Sequence, residues 1–154
     1  MKKLLLIDSH ALIHRMYHAM APLTTEKGEP VGALYGLSKL LLTMMTETIK
    51  PDYVAACFDR PEPTFRKESF AEYKAHRQPT PDDLVAQLIK AREVFQQFKI
   101  KMFEMPGFEA DDLIATLATR LHEEKDLQVT ILSGDRDLLQ LVHDDHIVVE
   151  LFKN

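Results

Sequence analysis

Three segments of this chain share one plan, an apolar run that stops at an aspartate: "KLLLID" ends at Asp8, "YVAACFD" at Asp59 and "QVTILSGD" at Asp135. Apolar runs without polar alternation are what strands look like when a sheet is covered on both faces, and that condition belongs to parallel sheets. Two shorter runs, "IKMFEM" and "HIVVELF", add candidate strands. Helical patterns lie around and between the runs: "SHALIHRMYHAM", "ALYGLSKLLLTMMTETI", "PDDLVAQLIKAREVFQQF", "ADDLIATLATRLHEE" and a short "RDLLQLV". The alternation predicts an α/β fold with a mostly parallel central sheet flanked by helices.

A chain of 154 residues, 45% of them hydrophobic, has enough apolar surface for one domain with its own core. In "MKKLLLIDSH" the apolar run is only four residues long before Asp8 interrupts it, too short for a signal sequence or a membrane span. The single cysteine, Cys57, lies inside "YVAACF", where a small buried residue is expected; no disulfide framework exists, and a reducing cytoplasm fits. Met16, Met20, Met44 and Met45 read as core filler.

In open α/β sheets, function collects at the carboxyl ends of the strands, so Asp8, Asp59 and Asp135 should share one crest. Asp137 follows in "SGDRD", where Gly134 allows a tight turn. The helix opening at "GFEADD" follows a strand and the turn Pro106-Gly107, which brings Glu109, Asp111 and Asp112 to the same edge. Acids in a first helical turn also cap free N–H groups and complement the helix dipole. The chain carries its own control in "PTPDDL": there Thr80 is the expected N-cap, Pro81 the first helical residue and Asp83 the acid of a capping box, so Asp82 and Asp83 need no metal. "GFEADD" differs because its acids exceed what one helix end uses, and so many neighbouring carboxylates are costly without cations. All-oxygen ligation suits Mg²⁺ or Mn²⁺, one or two ions, and a pair about 4 Å apart would stabilise an in-line displacement at phosphorus. The net charge of −5 becomes +2 with the seven acids set aside, so it does not exclude a nucleic-acid substrate.

The stretch from Arg60 to Gln78, bounded by Pro61 and Pro79, interleaves basic residues with Phe65, Phe70 and Tyr73 and has no clean apolar stripe. It reads as an excursion from the core. His10, His14 and His18 recur at intervals of four on one helix face, a spacing open to a transition metal but better suited to a partly exposed face near a substrate path.

Taken in order, "IDSHALIHRMYHA", "FDRPEPTFRKESFAEYKAHRQPTPDDL", "GFEADDLIATLA" and "SGDRDLLQLV" resemble the motifs of the 5′-nuclease domain of bacterial DNA polymerase I, within the flap endonuclease group and its PIN-like fold. The resemblance spans essentially the whole chain. It implies a three-layer PIN-like (resolvase-like) domain over residues 1–154, with an arch or clamp at about 60–80. The implied activity is metal-dependent 5′-3′ exonuclease and 5′-flap endonuclease cleavage of DNA, used in primer removal and repair. By position, the family's ligands fall on Asp8, Asp59, Glu109, Asp111, Asp112, Asp135 and Asp137, with Lys74 approaching the scissile phosphate. Arg15, Arg66, Tyr73, Lys74 and Arg77 are the implied DNA contacts, and Tyr73 matches a position that stacks on a base. The implied partners are DNA with a 5′ flap or 5′ end, an RNA primer in a hybrid, and a polymerase domain in the same polypeptide if this is a fragment; a monomer is expected.

Two departures qualify the resemblance. The family continues past "SGD" into a helix-hairpin-helix region that supplies further aspartates; its expected absence here would weaken the second metal site. A DNA-binding fragment with little catalysis is therefore the alternative, ahead of a PIN-like ribonuclease or a receiver-type signalling domain. The second departure is Arg60, where the family commonly has a small residue; it is expected to point outward.

Overall fold

The computed structural model describes residues 1–152. Its five strands are β1 (Lys2–Asp8), β2 (Tyr53–Cys57), β3 (Lys101–Phe103), β4 (Leu127–Ser133) and β5 (Ile147–Leu151). All neighbouring pairs are parallel, in the order β3-β2-β1-β4-β5. The helices are α1 (Ser9–Ala19), α2 (Gly32–Thr43), α3 (Phe65–Ser69), α4 (Asp82–Gln97) and α5 (Ala110–Leu121).

Successive residues of a strand point to opposite faces, so each central strand supplies two cores. Leu5 and Ile7 of β1, with Ala56 and Phe58, pack beneath α1, α2 and α4 through Leu12, Leu37, Leu41 and Phe95. Leu4 and Leu6, with Ala55 and Cys57, pack against Ile114 and Ala118 of α5. Leu5, Leu6 and Ile7 are fully buried, which is why this strand shows no polar alternation. Each such side chain contributes roughly 1.5–3 kcal/mol by leaving water. The result is three layers: helices, sheet, helix.

The chain runs outward from β1 to β2 and β3, then returns across β1 to lay down β4 and β5. Strand order therefore reverses between β1 and β4, and a crevice opens at their carboxyl ends. Asp8 closes β1, while Asp59 and Asp135 each lie two residues beyond the ends of β2 and β4. The register pairs Asp8 with Cys57, and Ile7 with both Ala56 and Leu132, which keeps these ends level.

Several local expectations need correction. Thr80 does not cap α4: Pro81 is the non-helical flanking residue, at ψ 143°, and no side chain caps that end. The Asp83 carboxylate instead accepts the Tyr17 hydroxyl at 2.9 Å. The helix expected through Ile49 is α-helical only to Thr43 and continues as a π-helical turn over Met44–Thr48. "RDLLQL" forms a 3₁₀ turn, Arg136–Leu141, in place of the expected α-helix. Gly107 has φ +83°, as the turn before α5 requires. Gly134 has no such conformation, and its lack of a side chain serves packing: a Cβ there would meet the Phe152 ring at 2.6 Å.

The segment joining β2 to α4 leaves the layers. It contains α3, which has no buried residue, and a run of turns to His76.

Candidate active site

A cavity of about 720 Å³ lies over the crevice at the strand ends. Its lining brings the acids Asp8, Asp59, Glu109, Asp111 and Asp135 together with His10, His14, Arg15 and His18 from α1 and Lys74 and Arg77 from the 60–80 segment. Five of the seven acids singled out from the sequence thus face one space. Asp112 and Asp137 do not line it, nor do Arg66 and Tyr73.

Each acid is held by its own element. Asp8 is the N-cap of α1, its Oδ1 accepting the Ala11 N–H at 3.3 Å. Its Oδ2 accepts the Ser133 hydroxyl at 2.7 Å, and the same Ser133 oxygen accepts the Asp135 N–H at 3.0 Å. A single buried hydroxyl therefore links the acids of β1 and β4. Asp135 caps the following 3₁₀ turn by accepting the Asp137 N–H at 2.8 Å. Asp59 reaches α5 from outside: its Oδ1 accepts the Ala110 N–H at 2.7 Å, while its own N–H donates to His10 Nδ1 at 3.2 Å. His10 in turn packs edge-on against Phe58 at 5.9 Å between centroids.

At the start of α5, the Asp112 carboxylate accepts the Glu109 N–H at 2.9 Å. Half of the capping box expected at "PTPDDL" is thus found at "GFEADD". The same carboxylates also take cations. Arg66 donates to both oxygens of Asp112, at 2.8 and 2.7 Å, and to Glu109 Oε2 at 3.3 Å. Lys74 donates to Glu109 Oε1 at 2.6 Å, and the Tyr73 hydroxyl to Oε2 at 3.1 Å. Arg60 turns away from the cavity, as expected, and pairs with Glu62 and Glu104.

The charge states follow. Burial drives the Asp8 pKa up to about 6, against the Ser133 and Ala11 hydrogen bonds that favour its charged form. Burial, then repulsion from Asp112 and Glu109, raises Asp111. Asp112 goes the other way: burial raises it, but the Arg66 hydrogen bonds and charge outweigh that and leave it below its ordinary value. Lys74 is raised because its bonds to Glu109 and Tyr73 overcome partial burial. Burial lowers both His10 and His14, which favours neutral imidazoles in the cavity. Five carboxylates lining one space with no soft donor fit a hard divalent cation, and Glu109, Asp111 and Asp112 have oxygens within 4.8 Å of one another.

Residues 3–154 match the family model for the 5′-3′ exonuclease, N-terminal resolvase-like domain. The chain belongs to this family. It is 44% identical over 142 residues to the thermostable DNA polymerase I of Thermus thermophilus, an alignment covering 92% of this chain and 17% of that protein. It is 38% identical over 149 residues to a 5′-3′ exonuclease of Aquifex aeolicus, covering 97% of this chain and 51% of that one. The fold is that of the bacteriophage T5 flap endonuclease in a complex with DNA and metal ions, with a TM-score of 0.69 at 20% identity over 98% of this chain and 55% of the phage chain. The chain thus spans about half the length, or less, of the relatives it matches. Membership of the exonuclease family sets aside the receiver-type reading.

Sequence reasoning singled out the acids but missed Ser133 and the link from His10 to the Asp59 amide. The signal for Ser133 was a polar residue ending an otherwise apolar strand, immediately before Gly134-Asp135.

Proposed function

We propose that this exonuclease-family domain hydrolyses phosphodiesters in DNA at a 5′ end or 5′ flap. The observation that carries the reading is the cavity itself, which five carboxylates from the strand ends and the start of α5 share with Arg15, Lys74 and Arg77. The polymerase and exonuclease relatives and the DNA-bound phage fold support it.

Mg²⁺ or Mn²⁺, as one or two ions on the carboxylates of Asp8, Asp59, Glu109, Asp111 and Asp135, would supply Lewis-acid polarisation of the phosphate and a water of lowered pKa. Asp112 would join that set through oxygens within 4.8 Å of those of Glu109 and Asp111, and Asp137 steadies Asp135 by donating its N–H to Asp135 Oδ1. Ser133 holds Asp8 in place, and Asp59 is pinned between α5 and His10. Lys74, Arg77 and Arg15 line the same cavity, where they would hold phosphate charge without base selectivity. The 60–80 segment acts as the arch, with Tyr73 available to stack on a base of the 5′ strand and Arg66 to pair with its backbone. In the whole protein the same site would work beside a polymerase domain or a further DNA-gripping region.

The test is cleavage of a labelled 5′-flap duplex in Mn²⁺ by the chain and by Asp135→Asn, with calorimetric Mn²⁺ binding in parallel. Cleavage lost in the variant supports the nuclease. Mn²⁺ and flap binding with no cleavage by either protein would favour the alternative of a DNA-binding piece. Failure to bind Mn²⁺ at all would overturn the metal-dependent reading.

A further inference from the structure

Every oxygen of Glu109 and Asp112 is already engaged by the arch. Lys74 takes Glu109 Oε1, Tyr73 and Arg66 share Oε2, and Arg66 grips both oxygens of Asp112. Glu109 and Asp112 are two of the three residues in the only group of ligand-bearing side chains among the described residues whose donor atoms lie this close together. Only Asp111 in that group has no arch contact. An ion approaching it must displace arch cations or settle for a poorer ligand set.

The arch is otherwise lightly fastened. None of α3 is buried, and beyond those ion pairs the arch is tied by the Phe65 N–H to Gly107 O at 2.9 Å, a tilted Phe65–Phe108 contact at 5.5 Å between centroids and, at its base, the Arg60–Glu104 pair at 3.5 Å. The Lys74 and Arg66 side chains are about a third exposed, so water screens their attraction to the acids and keeps it replaceable.

We infer that arch cations and a divalent ion exchange on the same oxygens of Glu109 and Asp112. Without metal, Arg66 and Lys74 are the counter-ions of the acid cluster and hold the arch down over the cavity. An ion bound there expels them, which frees the arch and turns both cations toward the phosphates of an entering strand. The inference rests on the nuclease reading and adds to it an order of events, metal first and arch opening second. Linkage makes the effect reciprocal: docking weakens the ion by the factor by which the ion weakens docking.

Two measurements on the intact chain test this. Limited trypsin digestion at Arg66, Lys67, Lys74 and Arg77 is compared in EDTA and in Mg²⁺, and Mg²⁺ affinity is measured by calorimetry for the natural chain, Lys74→Gln and Glu109→Gln. Exchange predicts that Mg²⁺ speeds arch cleavage several-fold, that Lys74→Gln binds Mg²⁺ about fivefold tighter, and that Glu109→Gln loses both effects. If Mg²⁺ binds and arch cleavage does not change, exchange is overturned even where Lys74→Gln binds more tightly, since removing a charge alone would do that. If the natural chain binds no Mg²⁺, the nuclease reading falls as well, and the two failures are distinct.

Discussion

The Ser133 hydroxyl donates to Asp8 Oδ2 across 2.7 Å and so joins the ends of β1 and β4 at the point where strand order reverses. Ser133 is fully buried, so nothing from solvent can replace it. Ser133→Ala leaves the Asp8 oxygen and the Asp135 N–H without this partner, and stability should fall by about 1–3 kcal/mol in urea denaturation. Calorimetric Mn²⁺ affinity should fall with it. Unchanged values in both would show that the link does not hold the acids.

Asp8 also sets a pH dependence. In the folded chain it keeps its proton to about pH 6, while its ordinary value is 3.8. Between those values the folded state binds more protons than the unfolded state, so metal-free stability declines as pH rises. The decline is complete just above pH 6 and amounts to about 3 kcal/mol from this group. Asp8→Asn should flatten that slope when denaturation midpoints are compared at pH 4 and pH 7. A slope that persists in the variant would assign it to other carboxylates.

The N-terminus of α2 has no side-chain cap of its own. Gln87, buried in α4, accepts the Ala33 N–H at 2.8 Å and donates to the Asp83 carbonyl at 3.2 Å. Gln87→Ala should therefore cost about 1–3 kcal/mol by orphaning a buried N–H, and amide exchange at Ala33 should quicken. Slow exchange at Ala33 in the variant would contradict a cap supplied from another helix.

Gly134 leaves room for the ring of Phe152, which also lines the cavity. Gly134→Ala should push that ring aside at a cost of about 1–3 kcal/mol, because the methyl enters space already filled. Thermal denaturation reads the loss. A variant as stable as the natural chain would return Gly134 to its expected role in the turn alone.

The layered α/β architecture was legible because a doubly covered parallel sheet has to be apolar on both strand faces, and "KLLLID", "YVAACFD" and "QVTILS" say so within a few residues each. The acids were legible for a related reason. Charge at the end of an apolar strand stands out, and the carboxyl-end rule brings such ends together whatever their separation along the chain.

What the sequence could not state is which partner each group chooses. A capping box was read at Thr80–Asp83 from residue types, yet the structure makes half of one at Glu109–Asp112, because Asp83 is drawn to Tyr17 and Pro81 takes the flanking position. Ser133 lies 125 residues from Asp8, and Arg66 lies 46 from Asp112. Local pattern determined the elements and the residue types at their ends. Only the tertiary fold decided how those ends pair, because hydrogen bonds and ion pairs depend on ångström-scale distances between segments whose spacing the packing of the two cores sets.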